Sequence, residues 1–278
     1  EFVVPRGANG KAIAKKLKEE GYVNSKWRFY LYLKSKGQEN KLRAGTFTLS
    51  SEYSYGRIAN ILMEKEGAAS LVKITVPEGY TVSEIAESLY KNGVVKNAEE
   101  FLSYVNTQGK NVLIKEFPFL EQVPTMKLEG YLFPETYVMA KGISYQEILR
   151  QFFKQFSKKA LPIWKQYNKN LSIHDWVTLA SIVEKESFKR EEMPIISGVF
   201  HNRLRKRMIL ASCPTVAYAM GQPRKKFLTY SDLKYQSPYN TYIRQGLPPT
   251  PIASPGIKAL TAALLPKKTN YLYFVANG

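Results

Sequence analysis

The run Leu-Ala-Ser-Ile-Val-Glu-Lys-Glu-Ser, Leu179 to Ser187, closes a mostly apolar stretch with two carboxylates. Upstream, Ser172 and Asp175 stand three apart, as the N-cap and N3 acid of a capping box do, and they set a helix start there. From that start Ile173, Val177, Ala180 and Glu184 fall at i, i+4, i+7 and i+11, one stripe of a 3.6-residue period. Glu184 thus takes a place where an apolar side chain is expected. Desolvation there raises a carboxyl pKa and keeps a proton on it near neutral pH, the state a general acid needs. A plainer alternative stays open from the residues alone: Glu184 and Glu186 as the solvated end of a core helix. Other chemistry has little material. His174 and His201 are the only histidines and Cys213 is the only cysteine, which leaves little for a His-rich metal site or a Ser-His-Asp triad and rules out an intrachain disulfide. Cys213, next to Pro214 and with no obvious histidine partner, reads as a buried structural thiol.

The elements that must position Glu184 belong to a chain of 278 residues and 31.8 kDa, enough for a sizeable core in one or two domains. A hydrophobic content of 44% excludes general disorder, and a formal net charge of +18 favours an anionic partner: nucleic acid, an acidic membrane face or an acidic glycan. No zinc-ligand cluster, RNP-like aromatic motif or long Arg-rich tract points to nucleic acid. No apolar stretch is long enough to span a bilayer, and no signal peptide precedes Glu1. The chain opens directly on a strand-like Phe2-Val3-Val4, and whether a targeting or membrane segment once preceded it stays open from the residues alone.

Two segments match without a gap at a spacing of 77 − 5 = 72 residues. Pro5, Gly7, Ile13, Ala14, Leu17, Gly21, Val23 and Phe29 pair with Pro77, Gly79, Ile85, Ala86, Leu89, Gly93, Val95 and Phe101. Each copy reads as a short strand, a Gly turn, an amphipathic helix ended by Gly, and a second strand or helix start. The second copy's helix is predicted from about Ser83. Between the copies, residues 42–49 read as a turn entering a strand and Tyr55 to Met63 as a helix. The pattern resembles the LysM module, a small β-α-α-β fold that binds N-acetylglucosamine-containing glycans; a packing scaffold is the other reading. The fold class expected is α+β: a small LysM-like region over 1–108, then a mixed α+β domain over 109–278.

In that second part LEGYLFPETY, Leu128 to Tyr137, suits a loop or bent strand lining a cleft, and helices are predicted near Tyr145–Lys159 and Ile195–Arg207. Ser237–Tyr242 and the proline-stiffened Gly246–Gly256 read as loops, and Tyr271–Ala276 as a closing strand. Taken in order, LEGYLFPETY, LASIVEKES, FHNRL, PTVAYAMG, SPYNTY, GLPPTPIASPG and YLYFVANG resemble the endolytic murein transglycosylase, or YceG-like, family over nearly the whole chain.

That resemblance implies a lytic transglycosylase, a lyase of peptidoglycan glycan strands, with Glu184 as catalytic acid and no metal or organic cofactor. It implies anchoring to the inner membrane by one N-terminal helix absent from this chain, with the catalytic part facing the periplasm or cell exterior. The cell-wall synthesis machinery is the implied candidate partner, beside the glycan itself, and nucleic acid is not one. One departure is that Leu210-Ala211-Ser212-Cys213 stands where many relatives have Leu-Gln-Ser-Asp, which removes any contact the Gln or Asp makes. Another is that the chain stops at Gly278, before a segment usual in relatives, so truncation at both ends is expected. Around Glu184, the site expected to bind substrate comprises Asn240 and Thr241 as hydrogen-bonding groups and Tyr131 and Tyr242 as ring platforms. Glu129 and Glu186 stand as reserve acids, and Arg203 and Lys185 would offset anionic muramyl peptides. Each of the loop residues could instead only shape its loop. The rivals are a non-catalytic peptidoglycan-binding protein, a small-molecule lyase that would need a cofactor such as pyridoxal phosphate, and a basic nucleic-acid binder.

Overall fold

A computed structural model describes residues 1–63, 71–167, 170–225 and 227–275. The chain is mixed α+β and packs as two compact units, Glu1–Val72 and Lys73–Gly278. The units thus divide earlier than the 1–108 and 109–278 split read from the sequence, and each holds one copy of the repeat. Among the described residues no helix is long and apolar enough to cross a membrane.

In the first unit β1 (Phe2–Val4) pairs antiparallel with β2 (Gly45–Phe47), Val3 opposite Thr46. Between them lie α1 (Gly10–Glu19) and α2 (Lys26–Ser35), and α3 (Tyr55–Met63) follows. Asn9 caps α1 by accepting the Ala12 N–H at 2.9 Å, and Ser25 caps α2 through the Arg28 N–H. Ile13, Ala14 and Leu17 recur at helical spacing and close over Phe2, Phe29, Leu33, Phe47, Ile58 and Leu62. Each fully buried large side chain of this core contributes about 1.5–3 kcal/mol, set against the entropy of ordering the chain.

The second copy repeats the same local structure 72 residues on. β3 (Leu71–Thr75), within which the two units divide, is followed by α4 (Val82–Lys91) and α5 (Ala98–Thr107), and β3 pairs with β4 (Thr136–Ala140). The caps correspond: Thr81 stands where Asn9 does and forms a full capping box with Glu84, and Asn97 stands where Ser25 does. Gly7 and Gly79 share a φ of +79° and +78°, a left-handed turn that a side chain would strain. All five apolar pairs of the alignment are buried, from Ile13 with Ile85 to Phe29 with Phe101. The copies differ at the glycine turn. Nothing lies near Gly7, whereas the Gly79 turn packs on the Glu184 and Lys185 side chains.

A short helix α6 (Gly109–Leu113) and a 3-10 turn at Pro118–Gln122 lead to the segment Leu128–Pro134, an almost wholly buried turn that enters β4. The helix expected over Tyr145–Lys159 is α7 (Tyr145–Gln155) continued by a π-helical turn at Phe156–Ala160 into α8 (Leu161–Tyr167). Ile148, Phe152 and Phe156 point inward as their spacing required, and Phe156 stacks on Phe119 with ring centroids 4.9 Å apart. At the centre runs α9 (Ile173–Glu186), capped by Ser172 and packed on α10 (Met193–Arg205), α11 (Cys213–Ala219) and α12 (Ile257–Leu264). The Trp176 indole donates to the Leu260 carbonyl at 2.8 Å, pinning α9 to α12. The expected closing strand is corrected over 271–275: this stretch forms no strand among the described residues. Side chains serve the carbonyls here, Asn202 donating to Tyr271 and to the preceding Thr269 at 2.8 Å and Arg203 to Leu272 at 2.6 Å. Ala276 lies outside the described residues.

Candidate active site

Glu184 sits in the last turn of α9, half-buried, at the point where the apolar stripe meets two loops. One loop is the Gly79 turn of the second repeat copy. The other is Ser254–Gly256, which clasps the first through Gly79 N–H to Ser254 O and Ser254 N–H to Tyr80 O, both 2.8 Å. The Gly256 N–H donates to Glu184 Oε2 at 2.9 Å. A Cβ at 256 would fall 1.9 Å from Glu78 Oε1, so a side chain there would have to displace the Glu78 carboxylate. Burial pushes the Glu184 carboxyl above the ordinary range, the Gly256 hydrogen bond pulls the other way, and the nearby Glu78 carboxylate pushes it up again. Arg190 and Lys185 oppose that rise: Arg190 is paired with Glu78 at 3.0 Å, and Lys185 donates to the Gly79 carbonyl at 3.3 Å. The net result is a carboxyl that stays protonated to higher pH than a solvated glutamate. Its place at a helix C-terminus, where carbonyl dipoles repel a negative charge, acts in the same direction.

Glu186 lies near Glu184 in sequence but has different partners: Ser212 Oγ donates to its Oε1 at 2.6 Å, and the Cys213 N–H also reaches it. Burial raises its pKa as well, with Ser212, Cys213 and Arg203 opposing. Glu129 is 5% exposed and lines a cavity of about 1080 Å³ to which Glu184 does not contribute. Its Oε1 accepts the Val82 N–H at 3.0 Å and its Oε2 the Tyr218 hydroxyl at 3.2 Å. Desolvation outweighs both bonds and pushes its pKa up to about 7. Burial raises three glutamates: Glu129 is buried outright, whereas Glu184 and Glu186 are both half-buried, Glu186 tied to Ser212 and Cys213 and Glu184 set beside the Gly79 and Gly256 loops.

Several expectations are corrected. Tyr131 is fully buried against Phe119 and Phe156, its hydroxyl 3.2 Å from His174 Nδ1, so its ring has no face for a sugar. Asn240 is fully buried too. Its Nδ2 donates to the Leu233 and Tyr235 carbonyls and its Oδ1 accepts the Tyr242 N–H, which uses the whole amide on the loop itself. Thr241 is buried with its hydroxyl accepting the Ser212 N–H at 3.0 Å and paired to Thr215 at 2.9 Å. Arg203 is 8% exposed and donates to the Leu210 and Leu272 carbonyls, so it ties the chain's closing segment down instead of facing solvent. Cys213 is exposed, not buried, with its Sγ 3.0 Å from the half-buried Tyr242 hydroxyl. Glu78 and Arg190 carry no signal in the sequence, whereas the repeat marks Gly79 as a turn and Gly256 closes the proline-rich loop, neither pointing to Glu184.

Asn240 offers a direct check. Replacing it with Ala strands two carbonyls and one N–H, and we expect a loss of about 2 kcal/mol of stability. Denaturant unfolding reads that loss, with substrate KM unchanged. A raised KM at full stability would return Asn240 to the substrate.

The chain is thus an α+β protein that presents a half-buried acid from the end of a central helix between two loops. It belongs to the YceG-like family, whose sequence profile matches residues 2–278. It is 35% identical over 283 residues to the endolytic murein transglycosylase of Bacillus subtilis (strain 168), with 98% of this chain and 77% of that protein covered. It is 31% identical to the endolytic murein transglycosylase of Streptococcus pneumoniae serotype 2 (strain D39 / NCTC 7466), covering 99% of this chain but only 53% of that relative. Among solved structures, a yceG-like protein of Listeria monocytogenes superposes with a TM-score of 0.67 at 33% identity, covering 99% of this chain and 92% of that one.

Proposed function

We propose that the chain is an endolytic lytic transglycosylase of peptidoglycan, with Glu184 as its catalytic acid and base. The observation that carries this reading is the half-buried Glu184 carboxyl, held by Gly256 and raised by burial, in a member of a family whose curated relatives bear that activity in their names. Glu184 gives its proton to the oxygen that leaves when the β-1,4 bond from N-acetylmuramic acid to N-acetylglucosamine breaks, and the anomeric carbon takes on oxocarbenium character. The carboxylate so formed removes the proton of the muramic C6 hydroxyl, whose oxygen bonds to the anomeric carbon. The product is a 1,6-anhydro end, one proton has left and returned to Glu184, and no water is consumed. Ends made within a strand would terminate or trim it as it is laid down. The region 1–108, with both repeat copies, is proposed as the glycan-holding part and 109–278 as the catalytic part; the β-α-α order of both copies supports the LysM likeness. The Gly79 turn then belongs to both tasks. A net charge of +18 suits an acidic polymer and an anionic membrane nearby.

The pH profile gives one test. The Glu78 carboxylate favours the protonated form of Glu184, so Glu78→Gln removes that repulsion and frees Arg190 to favour the carboxylate. Activity that needs the protonated acid is lost as pH rises through its pKa, so the alkaline limb of kcat should move to lower pH. A limb that stays in place would place the acid elsewhere. The overall reading is tested by the mass of the products, because a non-catalytic binder yields none.

A further inference from the structure

The cavity of about 1080 Å³ is built wholly within the larger unit, between α4 on one side and the end of α11 with the following loop on the other. Its volume is at the upper end for small-molecule sites, enough for more than one sugar ring. Both walls are fixed from behind by one buried residue, Glu129, which accepts the first N–H of α4 and the Tyr218 hydroxyl. Tyr218 in turn packs on Tyr239 at 5.1 Å between ring centroids, and Tyr239 is hydrogen-bonded to Thr250 at 2.8 Å, so two half-buried rings form a rigid wall. The rim carries four cations, Lys91, Lys127, Arg224 and Lys225, against the carboxylates of Glu84 and Glu87. Arg224 reaches from the loop to Glu84 on α4, its guanidinium over the Tyr80 ring, while its side chain stays 68% exposed. Lys91 and Lys127 are exposed on the rim, and among the described residues neither has a carboxylate partner within ion-pair distance. Rings inside and unpaired cations at the mouth fit a saccharide that carries a carboxylate, since a neutral sugar has no use for the lysines and a simple anion none for the rings.

We propose that this cavity is a subsite, separate from the Glu184 carboxyl, that takes a carboxylate-bearing amino sugar of the glycan strand, its rings against Tyr218 and Tyr239 and its lactyl or peptide carboxylate at Lys91 and Lys127. The proposal rests on the transglycosylase reading for the identity of the strand, and it deepens that reading by assigning a grip whose lining does not include Glu184. Arg224 is the adaptable contact, since a ligand carboxylate can compete with Glu84 for it. Glu129 is a positioning residue, its two carboxylate oxygens taken up by the Val82 N–H and the Tyr218 hydroxyl that hold the walls.

The test uses the whole chain and two probes of equal ring number, the disaccharide N-acetylglucosaminyl-N-acetylmuramic acid and chitobiose, which lacks the carboxylate. Titration followed by amide NMR shifts should give tighter binding of the muramyl disaccharide, with the shifts gathered on residues 82–91 and 218–225. Replacing both Lys91 and Lys127 with Ala should weaken that probe about tenfold and leave chitobiose unchanged, with no change in melting temperature because both side chains are exposed. Equal affinity for the two sugars, shifts gathered elsewhere, or a double variant that binds as the native chain does would overturn the subsite. Cleavage of purified strands is scored separately. Cleavage without the muramyl preference sinks the subsite alone, whereas the preference without cleavage sinks the transglycosylase reading and leaves the subsite standing.

Discussion

Glu184→Gln is expected to lower kcat on purified glycan strands by about 10²–10⁴-fold, the usual contribution of a positioned general acid. The value should lie toward the upper end, because in the proposed reaction one carboxyl both gives the first proton and removes the second. The substitution is nearly isosteric, and the amide oxygen of Gln can still accept the Gly256 N–H that holds the native carboxylate at 2.9 Å. The fold and the binding of strands should therefore survive, and KM should change little. Glu186→Gln is the matched control: Glu186 is fastened to Ser212 and Cys213, and its loss should show in stability before it shows in turnover. If Glu184→Gln keeps its activity while Glu186→Gln or Glu129→Gln loses it, the acid has been assigned to the wrong glutamate.

The second large effect concerns stability. The Glu129 carboxyl is buried, and its pKa rises from 4.5 to about 7. Between those values the folded chain holds a proton that the unfolded chain has lost, so stability is full below pH 4.5 and falls as pH rises toward 7. One such group accounts for about 3 kcal/mol over that window, at 1.36 kcal/mol per unit. Glu184 and Glu186, also raised by burial, add to the fall. Glu129→Gln removes Glu129's share, since the amide is neutral at every pH and can accept from Val82 while donating to the Tyr218 oxygen. Urea unfolding at pH 5 and pH 8 should show a clearly smaller difference in the variant than in the native chain. The same difference in both would mean that the Glu129 carboxyl does not titrate as its burial requires.

Much of the frame is legible in the residues because it rests on local periodicity. The 72-residue repeat appears in the structure cap for cap, since the same glycine turns and the same apolar stripe solve the same local problem twice. The central helix begins at its capping box and carries Glu184 at its end, as the spacing required. What periodicity cannot reveal is how a loop spends its polar groups. Asn240 and Thr241 looked like ligand contacts because polar residues in a turn-rich loop suit either role; in the fold, every hydrogen bond of the Asn240 amide goes to the loop's own backbone. Tyr131 lies in an aromatic run that reads as a cleft wall, and only packing against Phe119 and Phe156 decides that it is core. The partners that tune Glu184 come from far along the chain, Gly256 after it and Glu78 before it, and no spacing rule joins them. Glu129 stands out in sequence only as an acid in a loop, and its burial between α4 and Tyr218 emerges only from the fold.

The most direct measurement is the mass of the fragments released when the chain acts on isolated, peptide-free glycan strands. The account predicts internal cleavage into fragments that end in 1,6-anhydro-N-acetylmuramic acid, each one water lighter than a hydrolytic end, and none from Glu184→Gln. Reducing ends that carry an added water, or anhydro ends formed at the native rate without the Glu184 carboxyl, would contradict it.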